Sequence, residues 1–140
     1  MRQAELVLPI HTATIRLFIH VLAATVWVGG QITLGGLVPV VRKLGPDATR
    51  SVARQFNRLA WPAFAVLVAT GIWNLYEVDI ASASTEYQVT LFVKLVLVAA
   101  SGIGAAVHSQ GRGKVALAAG GAAAAVGAIG ALFLGVLLRS

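Results

Sequence analysis

Residues 115–138 read VALAAGGAAAAVGAIGALFLGVLL, a run with no ionisable group between Lys114 and Arg139. As a helix rising 1.5 Å per residue it covers about 36 Å, more than the roughly 30 Å hydrocarbon core of a bilayer. An open strand there would leave its backbone groups unpaired in lipid, so the segment reads as a transmembrane helix. Working outward, residues 12–41, 59–76 and 88–108 are apolar stretches of similar or greater length. The first is long enough to tilt or to project beyond the core. The connections are too short to hold another domain. The expectation is an all-α integral membrane four-helix bundle, a single four-span domain over residues 1–140.

Composition leads to the same solvent. Hydrophobic residues make up 58% and charged residues 11% of the chain, with a mean hydropathy of +0.84. Soluble domains average roughly 45–50% apolar and about 25% charged, so too few polar groups exist here to cover a water-facing surface. Cysteine is absent, which excludes disulfides, iron–sulfur clusters and thiolate metal sites. The first apolar run is longer than the 7–15 residues of a signal-peptide core and no A-x-A cleavage site follows it, so it reads as a retained span.

The net charge of +6 marks topology rather than a nucleic-acid partner. Arg42, Lys43, Arg50, Arg54 and Arg58 crowd the first connection against Asp47 alone, and Arg112 and Lys114 occupy the third. The middle connection carries Glu77, Asp79 and Glu86 and no base. Basic loops stay on the cytoplasmic side, so both termini are expected outside a prokaryotic-type plasma membrane. Arg50, Arg54 and Arg58 recur every four residues. They are expected on a short interfacial helix capped by Asp47, meeting anionic headgroups. Pro62 is then expected in the first turn of the second span, where a missing N–H costs little. The small residues of the fourth span, from Gly120 and Gly121 to Gly127, Gly130 and Gly135, permit close backbone approach, either inside the bundle or in a homo-oligomer.

Ionisable groups inside a span cost roughly 2.5–3.5 kcal/mol at its centre and are functional candidates by default. Arg16, His20 and Lys94 qualify, with His108 at the cytoplasmic end of the third span. At 100° per residue Arg16, His20, Trp27 and Gln31 share one face, as do Lys94, Ser101 and His108, and Thr70 shares one with Asn74. His20 and Lys94 lie within about a turn of equal depth, Thr70 and Asn74 arrive near the same level, and Arg16 sits one turn further out. These five are expected to converge on one outward-facing pocket. His108 lies about 21 Å of helix below Lys94, so His20 and His108 cannot both ligate one metal.

A buried neutral imidazole is a common iron or copper ligand, and nearby cations suit an anionic partner. Haem b fits both, with His20 on the iron and Arg16 and Lys94 facing the propionates. Lys94 could instead supply a sixth ligand. Trp27 and Gly29–Gly30 would form an aromatic wall and a flat surface for the ring. The alternative is that His20 and Arg16 simply hydrogen-bond between helices. Copper alone fits less well, since membrane copper carriers favour sulfur ligands and this chain has one methionine, Met1. His11 reads as an interfacial side chain.

The stretch Arg16-Leu-Phe-Ile-His20-Val-Leu-Ala-Ala-Thr-Val-Trp27-Val-Gly-Gly30 resembles the opening of the copper-resistance protein D (CopD) family and of the related J-type membrane protoporphyrinogen oxidases. Phe56-Asn-Arg58-Leu-Ala-Trp61, Thr70-Gly71-Ile-Trp-Asn74 and Phe92-Val-Lys94-Leu-Val-Leu extend the likeness over nearly the whole chain. The resemblance implies a four-helix core able to bind b-type haem, with His20 and Lys94 at the positions of its distinctive histidine and lysine. It also implies links to copper handling or porphyrinogen oxidation. The methionine- and histidine-rich segments of copper carriers are missing. The expected function is therefore that of a membrane haem protein of oxidoreductase type, in electron transfer or metal-linked oxidation. A copper permease and a structural subunit of a larger membrane complex are the alternatives. For topology, Ser82→Cys is expected to react with an impermeant thiol reagent from outside and Ser51→Cys to be shielded. The reverse labelling pattern would invert the bundle.

Overall fold

A computed structural model describes residues 9–140; Met1 lies outside the described residues. Four helices are each long and apolar enough to cross a membrane: α1 Thr12–Lys43, α2 Pro46–Tyr76, α3 Thr85–Gln110 and α4 Lys114–Leu137. No strand occurs among the described residues. The chain is a multi-pass membrane protein. One end of the bundle carries the basic connections and the other the acidic one, with both the start of α1 and the end of α4 at the acidic end.

The basic stretch departs from expectation. Arg50, Arg54 and Arg58 do not sit on a separate interfacial helix but on the first turns of α2, which runs unbroken for 31 residues. That is about 46 Å, so the helix overreaches a hydrocarbon core of roughly 30 Å and carries its arginines past it. The N-cap is Gly45 rather than Asp47, with φ +103° at the tight connection and Pro46 in the first turn. Pro62 lies inside α2 and Pro39 inside α1. Each removes one backbone donor without ending its helix.

A second departure lies in α1, where Thr25–Gly29 form a single π-helical turn. Such a turn inserts a residue into the helical phase and takes carbonyls out of the regular ladder. Gln31 answers this locally, its amide donating to the Trp27 carbonyl at 3.1 Å.

The bundle is two hairpins joined at mid-depth. In the second hairpin α3 and α4 touch backbone to backbone. A Cβ on Gly104 would lie 2.6 Å from the Ala124 nitrogen, and one on Gly120 would lie 2.7 Å from the His108 nitrogen. The glycines that invited a subunit contact are therefore spent inside the bundle. The outward side of α4 carries Val126, Phe133 and Val136, exposed as lipid-facing side chains are. In the middle, Trp27 of α1 packs on Phe64 of α2 with ring centroids 4.4 Å apart, and Trp61 closes the cluster. Phe64 in turn fills the space beside Gly102 of α3, where a Cβ would come within 2.7 Å of its ring.

Gly127→Leu is expected to destabilise the fold in mild detergent by about 1–3 kcal/mol or more, since even a Cβ there would sit 2.7 Å from the Leu97 carbonyl oxygen. An unchanged thermal midpoint would contradict the α3–α4 packing.

Candidate functional site

At the acidic end α1 and α2 are pinned by polar contacts that water cannot replace in lipid. Arg16 Nε donates to Asn74 Oδ1 at 2.7 Å. Its Nη1 lies 3.3 Å from a Glu77 carboxylate oxygen, and the guanidinium stands 5.7 Å from the centroid of the Trp73 ring. Arg16 is thus committed on three sides. Asn74 and Glu77 belong to the face that begins at Thr70, with spacings of four and three. That spacing was the signal by which Glu77, read only as a topology marker, belonged with the site.

One turn deeper, His20 Nδ1 and Thr70 Oγ1 are 2.8 Å apart. The same hydroxyl oxygen lies 2.7 Å from the Val66 carbonyl oxygen and 3.2 Å from that of Leu67. Two oxygens at 2.7 Å without a proton between them would repel, so the hydroxyl donates back along its own helix. Thr70 must then accept from His20. The imidazole carries its proton on Nδ1 and keeps a bare lone pair on Nε2. The ring lies against Gly71, where a Cβ would stand in ordinary contact, 3.5 Å from His20 Cε1. A histidine oriented through one nitrogen by a helix-bound hydroxyl keeps its other nitrogen available to a ligand.

Lys94 reaches the acidic end from α3 and lies against α4 at Gly135, where a Cβ would sit 3.2 Å from its ammonium nitrogen. Among the described residues neither Lys94 nor Arg139, one turn beyond Gly135, has a carboxylate partner. Gly135 and Arg139 escaped the sequence reading because nothing on α4 alone marks which face meets a lysine on α3.

Trp27 is placed elsewhere. It is 3% exposed in the aromatic core, its indole N–H donating to Ser101 Oγ at 3.0 Å, and Ser101 passes its own proton to the Ala124 carbonyl at 2.8 Å. Its ring is enclosed by protein rather than offered as a pocket wall. Gly30 is covered by the Phe56 ring, 2.8 Å from where a Cβ would stand. His108 is separate from His20, at the basic end, with Nδ1 at 2.7 Å from the Leu117 carbonyl. His11 is exposed at the start of α1.

Among the described residues the arrangement therefore offers one free imidazole nitrogen, two unpaired cations and a committed arginine, with no free carboxylate in contact. No group of three or more histidine, aspartate or glutamate side chains converges on a point among the described residues. The copper resistance protein D family matches residues 50–138, close to two thirds of the chain. The chain belongs to that family. It is a copper-related membrane protein. The match runs from the first turns of α2 to the end of α4, so it includes Thr70, Asn74 and Lys94 and begins after Arg16, His20 and Trp27. No curated protein and no solved structure matches the chain.

Ser101→Ala is expected to cost about 1–3 kcal/mol in unfolding free energy, because it strands the buried Trp27 N–H. Adding Trp27→Phe to that variant is expected to cost less than the sum of the two single changes. Full additivity would mean that the indole and hydroxyl are not coupled.

Proposed function

We propose that the chain binds one b-type haem at the acidic end of the bundle through His20 Nε2 and serves electron transfer or metal-linked oxidation. The observation that carries this reading is the His20–Thr70–Val66 relay, which leaves Nε2 bare at the end of the bundle where Lys94 and Arg139 have no acid partner among the described residues. The donor set fits the group on chemistry. A bare imidazole nitrogen would suit haem iron, and the cations Lys94 and Arg139 would suit its two propionates. Arg16, the first choice for a propionate, is held instead by Asn74 and Glu77 and positions α1 against α2. Two cavities of about 150 and 240 Å³ lie elsewhere and are not lined by His20 or Lys94, so the ring would rest at a seam rather than in a preformed chamber.

When bound, haem would supply the one-electron chemistry. The chain's own residues fix the rest. Thr70 holds the imidazole by its Nδ1 proton, which keeps Nε2 from rotating away. Lys94, threaded along Gly135, presents a positive charge at nearly the same depth. The loop charges support an outward position for this end, and the resemblance of the first span to membrane protoporphyrinogen oxidases is in keeping with an oxidative role.

A copper permease is the second reading, favoured by the family itself. Against it stands the charge: a bare copper ion near His20 would face Lys94 and Arg139 without sulfur or free carboxylate to offset them.

Purified protein from haem-supplied cells is expected to show a Soret band that His20→Ala abolishes or shifts and His108→Ala leaves in place. Lys94→Ala is expected to act mildly if the lysine pairs with a propionate and to change the spin state if the lysine would also hold the iron. A Soret band lost in His108→Ala and retained in His20→Ala would overturn the site. Bound copper without a Soret band would favour the permease.

A further inference from the structure

The basic end of the bundle holds a cavity of about 150 Å³ that the haem site does not use. Leu34, Val38 and Val41 of α1 form an apolar wall, and Arg42, Thr49 and His108 supply its polar lining. The volume is several times the share of one water in the liquid, roughly 30 Å³. It lies between α1, the first turns of α2 and the end of α3.

Its polar groups are not spent in the same way. Thr49 donates its hydroxyl to the Gly45 carbonyl at 3.2 Å. A carbonyl only accepts, so the Leu117 oxygen 2.7 Å from His108 Nδ1 fixes the proton there and leaves Nε2 free. Gly121 gives the ring its place, since a Cβ would sit 2.9 Å from Nδ1. Arg42 has neither a carboxylate nor a hydrogen-bond partner among the described residues. The nearest acid in sequence, Asp47, is 3.6 Å from Arg50 instead. Lys43, Arg54 and Arg58 add positive charge around the same end with no further acid.

An unpaired guanidinium beside an apolar wall at a membrane surface matches an amphipathic anion. The guanidinium fork fits phosphate oxygens, and the wall fits the glycerol and first chain carbons attached to them. The basic loops assign this end to the cytoplasmic leaflet, where anionic lipids meet such clusters. We propose that the cavity seats the headgroup of one anionic phospholipid, its phosphate on Arg42 and its first acyl carbons against Leu34 and Val38. Free phosphate shares the headgroup chemistry but would leave the apolar half of the site unfilled.

The full chain in detergent, stripped of lipid, is titrated with short-chain phosphatidylglycerol, short-chain phosphatidylcholine or inorganic phosphate while thermal unfolding is followed. Phosphatidylglycerol is expected to raise the midpoint in a saturable way, and the other two are not. Arg42→Gln, a change at an exposed side chain, is expected to keep the lipid-free midpoint and weaken the response about tenfold or more, the scale of one lost charge-assisted contact. Arg54→Gln, outside the cavity, is expected to respond as the parent does. Native mass spectrometry provides a second readout, with one phosphatidylglycerol retained per parent chain and none on Arg42→Gln or on the cavity-filling Val38→Phe. Equal responses to the two lipids, an equal response to phosphate, or an Arg54→Gln loss matching that of Arg42→Gln would each overturn the assignment.

Discussion

The Thr70 hydroxyl has one proton, and the Val66 carbonyl takes it at 2.7 Å. In water this would decide little, because solvent would complete any bond left open. Inside a bilayer no solvent is available, and each polar atom must be answered by the chain itself. The helix-bound hydroxyl can therefore only accept from the ring, the His20 imidazole donates its Nδ1–H to it, and Nε2 is left without a partner among the described residues. The functional reading rests on that allocation of two protons.

The same constraint organises the bundle in tiers. At the acidic rim Arg16 gathers Asn74, Glu77 and the Trp73 ring. Below it comes the His20–Thr70 pair. Deeper still, Trp27 and Ser101 carry a hydrogen-bond path from α1 through α3 to the Ala124 carbonyl of α4. The first two tiers tie α1 to α2, and the third ties that hairpin to the other. Between α3 and α4 the work is done by the absence of side chains, since Gly104, Gly120 and Gly127 let the backbones meet. The π-helical turn sits where Trp27 must face the second hairpin. Trp27 is buried within this turn, and Gln31 supplies a donor to its carbonyl.

Much of this was legible before any coordinates. Hydropathy and length located four spans, because lipid admits few other solutions. Helical spacing put Arg16, His20, Thr70 and Asn74 toward one end of the bundle, since depth and face are both linear functions of residue number. The pairing of Arg16 with Asn74 and of His20 with Thr70 is seen only in the structure. Other features depend on neighbours that spacing does not reveal. Trp27 looked like a pocket wall because its face matched that of His20, whereas the π-helical turn and the Phe64 and Trp61 rings make it core. Pro62 and Asp47 suggested a helix boundary that α2 does not have, its first turns being continuous with the span. The glycine run on α4 suited a partner inside or outside the chain equally well until the Leu97 and Ser101 backbone was seen against Gly127.

The central claim is the protonation of one ring, and nitrogen NMR reads it directly. Protein carrying ¹⁵N-labelled histidine in bilayers at neutral pH, compared with a His20→Gln sample to isolate the signal, is expected to show His20 with a protonated Nδ1 and an unprotonated Nε2. A His20 signal with the proton on Nε2 and a bare Nδ1 would mean that Thr70 donates to the ring, and the free ligand atom inferred here would not exist.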